Sequence, residues 1–264
     1  MATTASFPFD EKTAQQLSML YQTDDIRELQ RRYRVWFDPK PGEKILDVGC
    51  GTGVNALAIA RLVGPSGKVI GIDNSQAMLA IARERAAASN VEYQLQAVEE
   101  TEFPDNCFDG VVCTQVLSYL RDPVAVIRNL LRVIKPTGRV FIAETDWDTL
   151  SYCIADKELQ RKVTLSFSDH HGDGWMARRV HWMCQQVGVA QLEMHPYVVY
   201  NAEYSARKYG GPLSLVIRDY LLRTGKCTEV EVQRWLQLLS EAFDNRTYFF
   251  SLTRMVCILR KATA

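Results

Sequence analysis

The stretch that most constrains the fold is Ile45–Gly53, an apolar run that ends in three closely spaced glycines. The residues after Gly53 form a second apolar segment with helical spacing, so the stretch predicts a buried strand, a tight turn and a helix. Glycine in such a turn permits backbone angles that a side chain would forbid, and it leaves the main-chain N–H groups at the helix start open to a ligand. We therefore predict the first unit of a nucleotide-binding α/β domain, with a ligand at the turn.

The spacing of the glycines narrows the choice of ligand. A dinucleotide-binding turn follows the pattern G-x-G-x-x-G, with its third glycine three residues after the second. That position is Val54 here, and Gly49, Gly51 and Gly53 form G-x-G-x-G instead. The next apolar run ends in Asp73, where an α/β nucleotide site places the acid that accepts hydrogen bonds from a ribose diol. The spacing thus fits an adenosine cofactor and departs from the dinucleotide pattern.

Four segments together resemble the S-adenosyl-L-methionine (AdoMet)-dependent methyltransferases with the Rossmann-like fold, and more narrowly their small-molecule branch, which includes the ubiquinone and menaquinone methylases. The segments are LDVGCGTG, GIDNSQAML, FPDNCFDGVVCTQVLSYLRDP and LLRVIKPTGRVFIAE, within about residues 40 to 145. The resemblance implies an α/β fold with a doubly wound, seven-stranded, mostly parallel sheet, an antiparallel last strand and a helical lid. One departure is that the family usually has Asp then Ala before Glu99, where this chain has Ala97 and Val98.

The resemblance also implies the cofactor, AdoMet, its product S-adenosyl-L-homocysteine (AdoHcy), and no metal. The glycines would let the backbone approach the amino-acid end of the cofactor, and Asp73 would take the ribose. The Val98 N–H and Glu99 would face the adenine, and the segment after the fourth strand would expose carbonyls to the methionine ammonium. The predicted cofactor-binding residues are Gly49, Gly51, Gly53, Asp73, Asn74, Val98, Glu99, Thr114 and Gln115.

Three side chains outside these motifs are candidates for catalysis, and each has a plain structural alternative. Tyr21 can place an electron-rich ring or a hydroxyl near the sulfonium, or can belong to the core. Asp146 follows the expected fifth strand and can orient or deprotonate an acceptor, or can be part of an ordinary loop. His170 titrates in the range that a general base requires, or lies in a surface loop.

Metal or thiol chemistry has weaker support. A metal site at His170 and His171 with Asp169 or Asp173 would lack a second set of ligands. The seven cysteines contain no C-x-x-C pair, and most lie in apolar segments, where a free thiol behaves as a small hydrophobe. We interpret them as reduced structural thiols. The alternative is a trio that binds arsenite, as in some methylases of similar fold.

Composition limits the kinds of partner. The chain has 31 Lys and Arg and 31 Asp and Glu, so no overall basic field attracts a nucleic acid or an anionic membrane. The longest apolar runs are far shorter than the roughly 18 residues that span a bilayer, and an apolar signal segment is absent from the N-terminus. We therefore expect a cytoplasmic monomer or homodimer that acts on a small molecule, without nucleic acid or membrane insertion.

The chain is expected to form one domain with two additions. Two amphipathic segments near the N-terminus and an insertion before the last apolar run predict helices that together shape a mostly apolar acceptor pocket. The expected units are N-terminal helices covering the active site over 1–40, an AdoMet-binding core over 41–200 and 247–264, and a helical lid insertion over 201–246.

These features predict methyl transfer from AdoMet to an oxygen, nitrogen or carbon atom of a small aromatic or heterocyclic acceptor of the secondary-metabolite type. The sequence does not decide among the three atoms. Two alternatives stay open. A methylase of protein or RNA is disfavoured by the neutral net charge and the apolar lid. A non-catalytic AdoMet-binding regulator or scaffold stays possible because Ala97 and Val98 depart from the family pattern.

Overall fold

The computed structural model describes residues 11–86, 89–168, 170 and 172–261, with side chains from residue 14 onward. Part of the predicted N-terminal unit, residues 1–10, and the last three residues of the predicted core lie outside this range. The helices are α1 (Glu11–Leu20), α2 (Asp24–Phe37), α3 (Val54–Val63), α4 (Gln76–Arg85), α5 (Pro123–Val133), α6 (Lys157–Ser168), α7 (Met176–Gln186), α8 (Gly210–Thr224) and α9 (Glu229–Asp244). The strands are β1 (Lys44–Val48), β2 (Lys68–Asp73), β3 (Val91–Leu95), β4 (Phe108–Thr114), β5 (Ile134–Tyr152), β6 (Gln191–Asn201) and β7 (Phe250–Arg260).

Within the described ranges the strands form one seven-stranded sheet in the order β3-β2-β1-β4-β5-β7-β6. The first five strands pair in parallel, and β7 runs antiparallel to both β5 and β6. This confirms the predicted doubly wound sheet with an antiparallel last strand. The chain reverses its direction of travel across the sheet between β1 and β4, and open α/β sheets bind ligands beside the carboxyl ends of strands at such a point.

Helices cover both faces of the sheet because successive side chains of a strand point to opposite faces. Ile45 of β1 joins a core shared with α2, α3, α6, α8 and α9, while its neighbour Leu46 joins a second core shared with α5 and α7. The near-continuous apolar composition of β1 and β4 is what a strand buried on both faces requires.

Helix starts agree closely with the local sequence signals. The Asp122 side chain accepts a hydrogen bond from the Ala125 N–H and Pro123 occupies the first turn of α5, as the Asp-Pro pair predicts. Thr228 and Glu231 form a complete capping box at α9. Each of these caps satisfies N–H groups that have no partner inside the helix.

Strand β5 differs from the sequence-based expectation. The Lys-Pro-Thr-Gly segment at 135–138 predicts a turn before a strand over 138–144, but the strand runs from Ile134 to Tyr152. It pairs with β7 from Val140, opposite Leu259, to Tyr152, opposite Phe250, with an irregularity between Asp146 and Ser151. Because β7 arrives from the far end of the chain, local composition does not reveal this extension.

The N-terminal helices and the insertion occupy different places. Helices α1 and α2 lie over the carboxyl ends of the central strands. Helices α8 and α9 pack against α6, and α8 also contacts α1. A hydrogen bond of 2.7 Å from the Tyr152 hydroxyl to the Gly210 carbonyl joins the insertion to β5. No helix of the described chain has the length and apolar character needed to cross a membrane.

Candidate active site

A cavity of about 210 Å³ lies at the carboxyl ends of β1, β2 and β4, under α1 and α2. Its lining includes Gly49, Gly51, Asp73, Asn74, Val98, Glu99, Thr114 and Gln115. The structure therefore brings together eight of the nine residues predicted to bind the cofactor. Gly53 is the exception, since it caps the N-terminus of α3 just behind the lining.

The three glycines of the turn all have positive φ, between 53° and 74°, but they serve different purposes. A Cβ on Gly49 would collide with the Val116 side chain, and one on Gly53 would collide with Tyr93. A Cβ on Gly51 would meet nothing within 4 Å, because that position faces the cavity. Two glycines are thus required for packing, and Gly51 leaves room for a ligand.

Asp73 connects the end of β2 to the glycine turn. Its carboxylate accepts hydrogen bonds from the Gly51 N–H at 2.8 Å and the Ser75 N–H at 2.9 Å. Burial raises the pKa of Asp73, while these two backbone hydrogen bonds act in the opposite direction. A carboxylate offers about four acceptor positions, so the group that fixes the turn can also accept hydrogen bonds from two ribose hydroxyls in the cavity. The residues present therefore fit the nucleoside of AdoMet.

Gln115 follows β4 in the left-handed region, with φ of 58°. Its N–H donates to the Ala143 carbonyl at 2.8 Å, which holds this strained backbone against β5. Non-glycine residues in this region cost of order 1–3 kcal/mol and cluster at functional sites. Here the strain directs the Gln115 side chain toward Glu144, Thr145 and Arg254.

Glu144 and Arg254 form a buried polar network with Gln115 that the sequence analysis missed. Glu144 accepts hydrogen bonds from the Val116 and Leu117 N–H groups at 2.9 and 2.8 Å, and burial raises its pKa to about 7. Arg254 lines the cavity and donates from Nη1 to the Gln115 side-chain oxygen. The available signal was the lone charged residue in the apolar run SLTRMVCIL.

Tyr21 is the one predicted catalytic residue, among those with described side chains, that lines the cavity. It lies one residue beyond the end of α1. Burial raises the pKa of its hydroxyl to about 12, so Tyr21 is neutral at physiological pH. A neutral phenol can contact a substrate through its ring or donate a hydrogen bond, but its hydroxyl is not an effective base at that pH.

The structure does not bring Asp146 and His170 into the cavity. Asp146 accepts a 2.7 Å hydrogen bond from the Arg178 guanidinium, which neutralises its charge outside the cavity lining. His170 is 4% exposed and stacks on Phe167 with the ring centroids 3.9 Å apart, with Trp147 against its edge. Burial lowers the pKa of His170 to about 3, so it is a neutral core residue rather than a surface base.

The buried neutral state of His170 predicts a pH-dependent loss of stability. Its pKa is about 3 in the folded chain and near 6.5 when unfolded, so the stabilisation is present above pH 6.5 and is lost as the pH falls toward 3. We expect the free energy of unfolding to fall by about 2 kcal/mol between pH 7 and 5 from this residue. His170→Phe should remove that part of the decrease in urea titrations.

His181→Gln provides a matched substitution of an exposed histidine outside the core. An equally steep decrease in His170→Phe and wild type would contradict the assignment.

Metal and thiol chemistry gain no support from the described residues. They include no group of three or more His, Cys, Asp or Glu side chains placed to hold a metal ion. Asp169 and His171, which belong to the metal alternative, lie outside the described residues. All seven cysteines are free, and five of them are buried.

Comparison with known proteins agrees with this geometry. A family model described as a methyltransferase domain matches residues 39–202. An uncharacterised 37.1 kDa protein of a Streptomyces fradiae transposon is 36% identical over 154 residues, which cover 58% of this chain and 45% of that protein. The 2-phytyl-1,4-naphthoquinone methyltransferase of Synechococcus elongatus is 37% identical over 124 residues, covering 45% and 53% of the two chains. This chain thus spans about half the length of these relatives.

The fold also resembles solved structures. Haemonchus contortus phosphoethanolamine N-methyltransferase 2, in complex with phosphomonomethylethanolamine and S-adenosylhomocysteine, aligns with a TM-score of 0.62 and 19% identity, covering 96% of this chain and 58% of that one. At this identity the likeness concerns the fold alone. With the sheet order, the glycine turn and the family model in agreement, the chain belongs to the AdoMet-dependent methyltransferases with the Rossmann-like fold.

Proposed function

We propose that this protein transfers the methyl group of AdoMet to an oxygen, nitrogen or carbon atom of a small organic acceptor. The observation that carries the proposal is the continuity of the cavity. The same cavity is lined by Gly51 and Asp73, which we assign to the cofactor, and by Tyr21, Tyr33 and Arg254, which we assign to the acceptor. A single cavity therefore joins the residues suited to a nucleoside with those suited to an organic acceptor.

The chain's own residues would contribute binding, alignment and exclusion of water. AdoMet, when bound, supplies a methyl group on a positively charged sulfur. The glycine turn and Asp73 would fix the cofactor, while α1 and α2 cover the acceptor end with apolar side chains, among them Leu17, Ile26 and Leu29. Holding two reactants in line in this way can lower a barrier by roughly 7–11 kcal/mol.

An aromatic or heterocyclic acceptor is favoured by the walls of the cavity. Tyr21, Tyr33 and Tyr119 line the acceptor end and offer ring faces and edges for stacking. The relative named 2-phytyl-1,4-naphthoquinone methyltransferase acts, by its name, on an aromatic ring system. The equal numbers of acidic and basic residues favour a small molecule over a nucleic acid.

The proposal includes the organisation of the chain. We assign residues 1–40 to a cover over the acceptor end, and 41–200 with 247–264 to the cofactor-binding core. The insertion over 201–246 contacts α1 through α8, and no described residue of this segment lines the cavity. A cytoplasmic monomer or homodimer remains our expectation, which fractionation of cells and light scattering would test.

The proposed activity is tested by incubating the protein with methyl-labelled AdoMet and a metabolite extract, then separating the products by mass. We expect label in a small molecule when the wild-type protein is present, and a strong reduction with Asp73→Ala. Label confined to RNA or protein fractions would indicate a macromolecular acceptor. Saturable AdoMet binding without any labelled product would indicate a regulator or scaffold instead.

A further inference from the structure

Arg254 is a buried charge at one end of the cavity. It belongs to β7, where its backbone lies opposite Thr145 of β5, and it is 3% exposed. A guanidinium is always charged, and removing it from water is costly unless it is paired. Its position therefore calls for a partner of opposite charge.

The described residues satisfy only part of the hydrogen-bonding and charge requirements of the Arg254 guanidinium. Nη1 donates to the Gln115 side chain and Nη2 to the Tyr209 hydroxyl at 3.3 Å, both of which are uncharged groups. Nε is buried and has no hydrogen-bond acceptor among the described residues. Glu144 contributes attraction at longer range, but its carboxylate already accepts hydrogen bonds from the N–H groups of Val116 and Leu117. Arg254 thus lines the cavity with a guanidinium whose buried Nε has no described hydrogen-bond acceptor and whose direct partners are uncharged.

The strand order separates Arg254 from the nucleoside end of the cavity. Asp73 ends β2, whereas Arg254 lies on β7, and β1, β4 and β5 stand between them. Neighbouring strands are about 4.8 Å apart, so the two side chains start from strands roughly 19 Å apart. Arg254 therefore belongs to the acceptor end rather than to the ribose and adenine end.

The surroundings indicate what kind of acceptor Arg254 would meet. Tyr21, Tyr33 and Tyr119 line the same end, and burial raises the pKa of each hydroxyl, so all three are neutral. Aromatic walls and one guanidinium form a site for a planar ring that carries a negative oxygen. Such a group would supply the negative charge that the direct hydrogen-bond partners of the guanidinium lack.

We infer that Arg254 binds an oxygen-centred anion on the methyl acceptor, either a carboxylate or the ionised hydroxyl of a phenol or enol. This inference rests on the proposed function and extends it, because it names the charge of the substrate. It also assigns a specificity role to Arg254, outside the cofactor-binding set.

The test uses matched aromatic probes titrated into the full chain saturated with AdoHcy. Benzoate is compared with neutral benzamide, and 4-nitrophenolate with neutral 4-nitroanisole. We expect at least one anion to bind roughly tenfold more tightly than its neutral counterpart, since a hydrogen bond between charged groups is stronger than one to a neutral group. The pair that discriminates more strongly identifies the carboxylate or the ionised hydroxyl as the source of the charge.

Variants then assign the preference to Arg254. Arg254→Gln should abolish the discrimination, Arg254→Lys should keep part of it, and Arg260→Gln, on the same strand but outside the cavity lining, should keep all of it. AdoHcy affinity should stay unchanged in Arg260→Gln, and each Arg254 variant is titrated with AdoHcy before the probes are added. Circular dichroism checks the fold, and if Arg254→Gln does not fold, the wild-type and Arg254→Lys titrations decide.

Two results would overturn the inference. Equal binding of charged and neutral probes by wild type would show that no anion is recognised. Loss of AdoHcy binding in folded Arg254→Lys or Arg254→Gln would place Arg254 at the methionine carboxylate instead. Failure of the proposed function is distinguishable, because wild type would then either bind no AdoHcy or bind it without forming any labelled product in the extract assay.

Discussion

Replacing Asp73 with alanine is expected to weaken AdoMet binding by about a hundredfold or more, because up to two charge-assisted hydrogen bonds of roughly 1.5–3 kcal/mol each are lost. The substitution also removes the 2.8 Å hydrogen bond that the Gly51 N–H donates to the Asp73 carboxylate. Calorimetric titration with AdoMet and with AdoHcy measures the effect, and both ligands should lose affinity to the same extent because they share the ribose.

Asp109 provides a matched control for this substitution. Its carboxylate accepts a hydrogen bond from the Lys44 N–H at 2.8 Å, as Asp73 does from Gly51. Asp109 lies near the start of β4, however, at the amino ends of the parallel strands and away from the cavity. Asp109→Ala should lower stability without changing AdoMet affinity. Equal losses of affinity in the two variants, or unchanged affinity in Asp73→Ala, would mean that the ribose is held elsewhere.

Gly51→Ala is expected to weaken AdoMet binding by roughly 5- to 150-fold, since overpacking a close contact costs about 1–3 kcal/mol. The new methyl group would meet no protein atom within 4 Å and would project into the cavity, where we propose that the cofactor approaches the turn. The loss should therefore appear in the binding titration far more strongly than in the free energy of unfolding.

Gly188 separates the effect of backbone strain from the effect on the ligand. It has a φ of 70°, close to the 53° of Gly51, and a Cβ there also meets nothing within 4 Å. Gly188→Ala and Gly51→Ala should destabilise the fold by similar amounts, of order 1 kcal/mol. Similar AdoMet affinities in the two variants would show that Gly51 does not contact the cofactor.

The cofactor end of the cavity was largely predictable from the sequence because its requirements are local. Glycines at fixed spacing specify a backbone turn, and the acid at the end of the next strand is fixed by the parallel register of β1 and β2. Asp73 and Gly51 meet across 22 positions of sequence, a separation that one β-α-β unit determines.

The proposed acceptor end was predictable only at Tyr21, because distant segments assemble it. Tyr21 and Arg254 come from opposite ends of the chain, and β7 reaches β5 only through the antiparallel pairing of the last strand. His170 appeared polar in sequence, yet Phe167 and Trp147 enclose it in three dimensions. Asp146 lies within the extended β5, and Arg178 of α7 holds its carboxylate outside the cavity lining.

A crystal structure of the chain with AdoHcy bound tests the central claim most directly. We expect the Asp73 carboxylate within hydrogen-bonding distance of both ribose hydroxyls, the homocysteine backbone against Gly51, and the sulfur facing the space between Tyr21 and Arg254. AdoHcy bound outside this cavity, or a ribose that makes no contact with Asp73, would contradict the assignment of the glycine turn as the cofactor site.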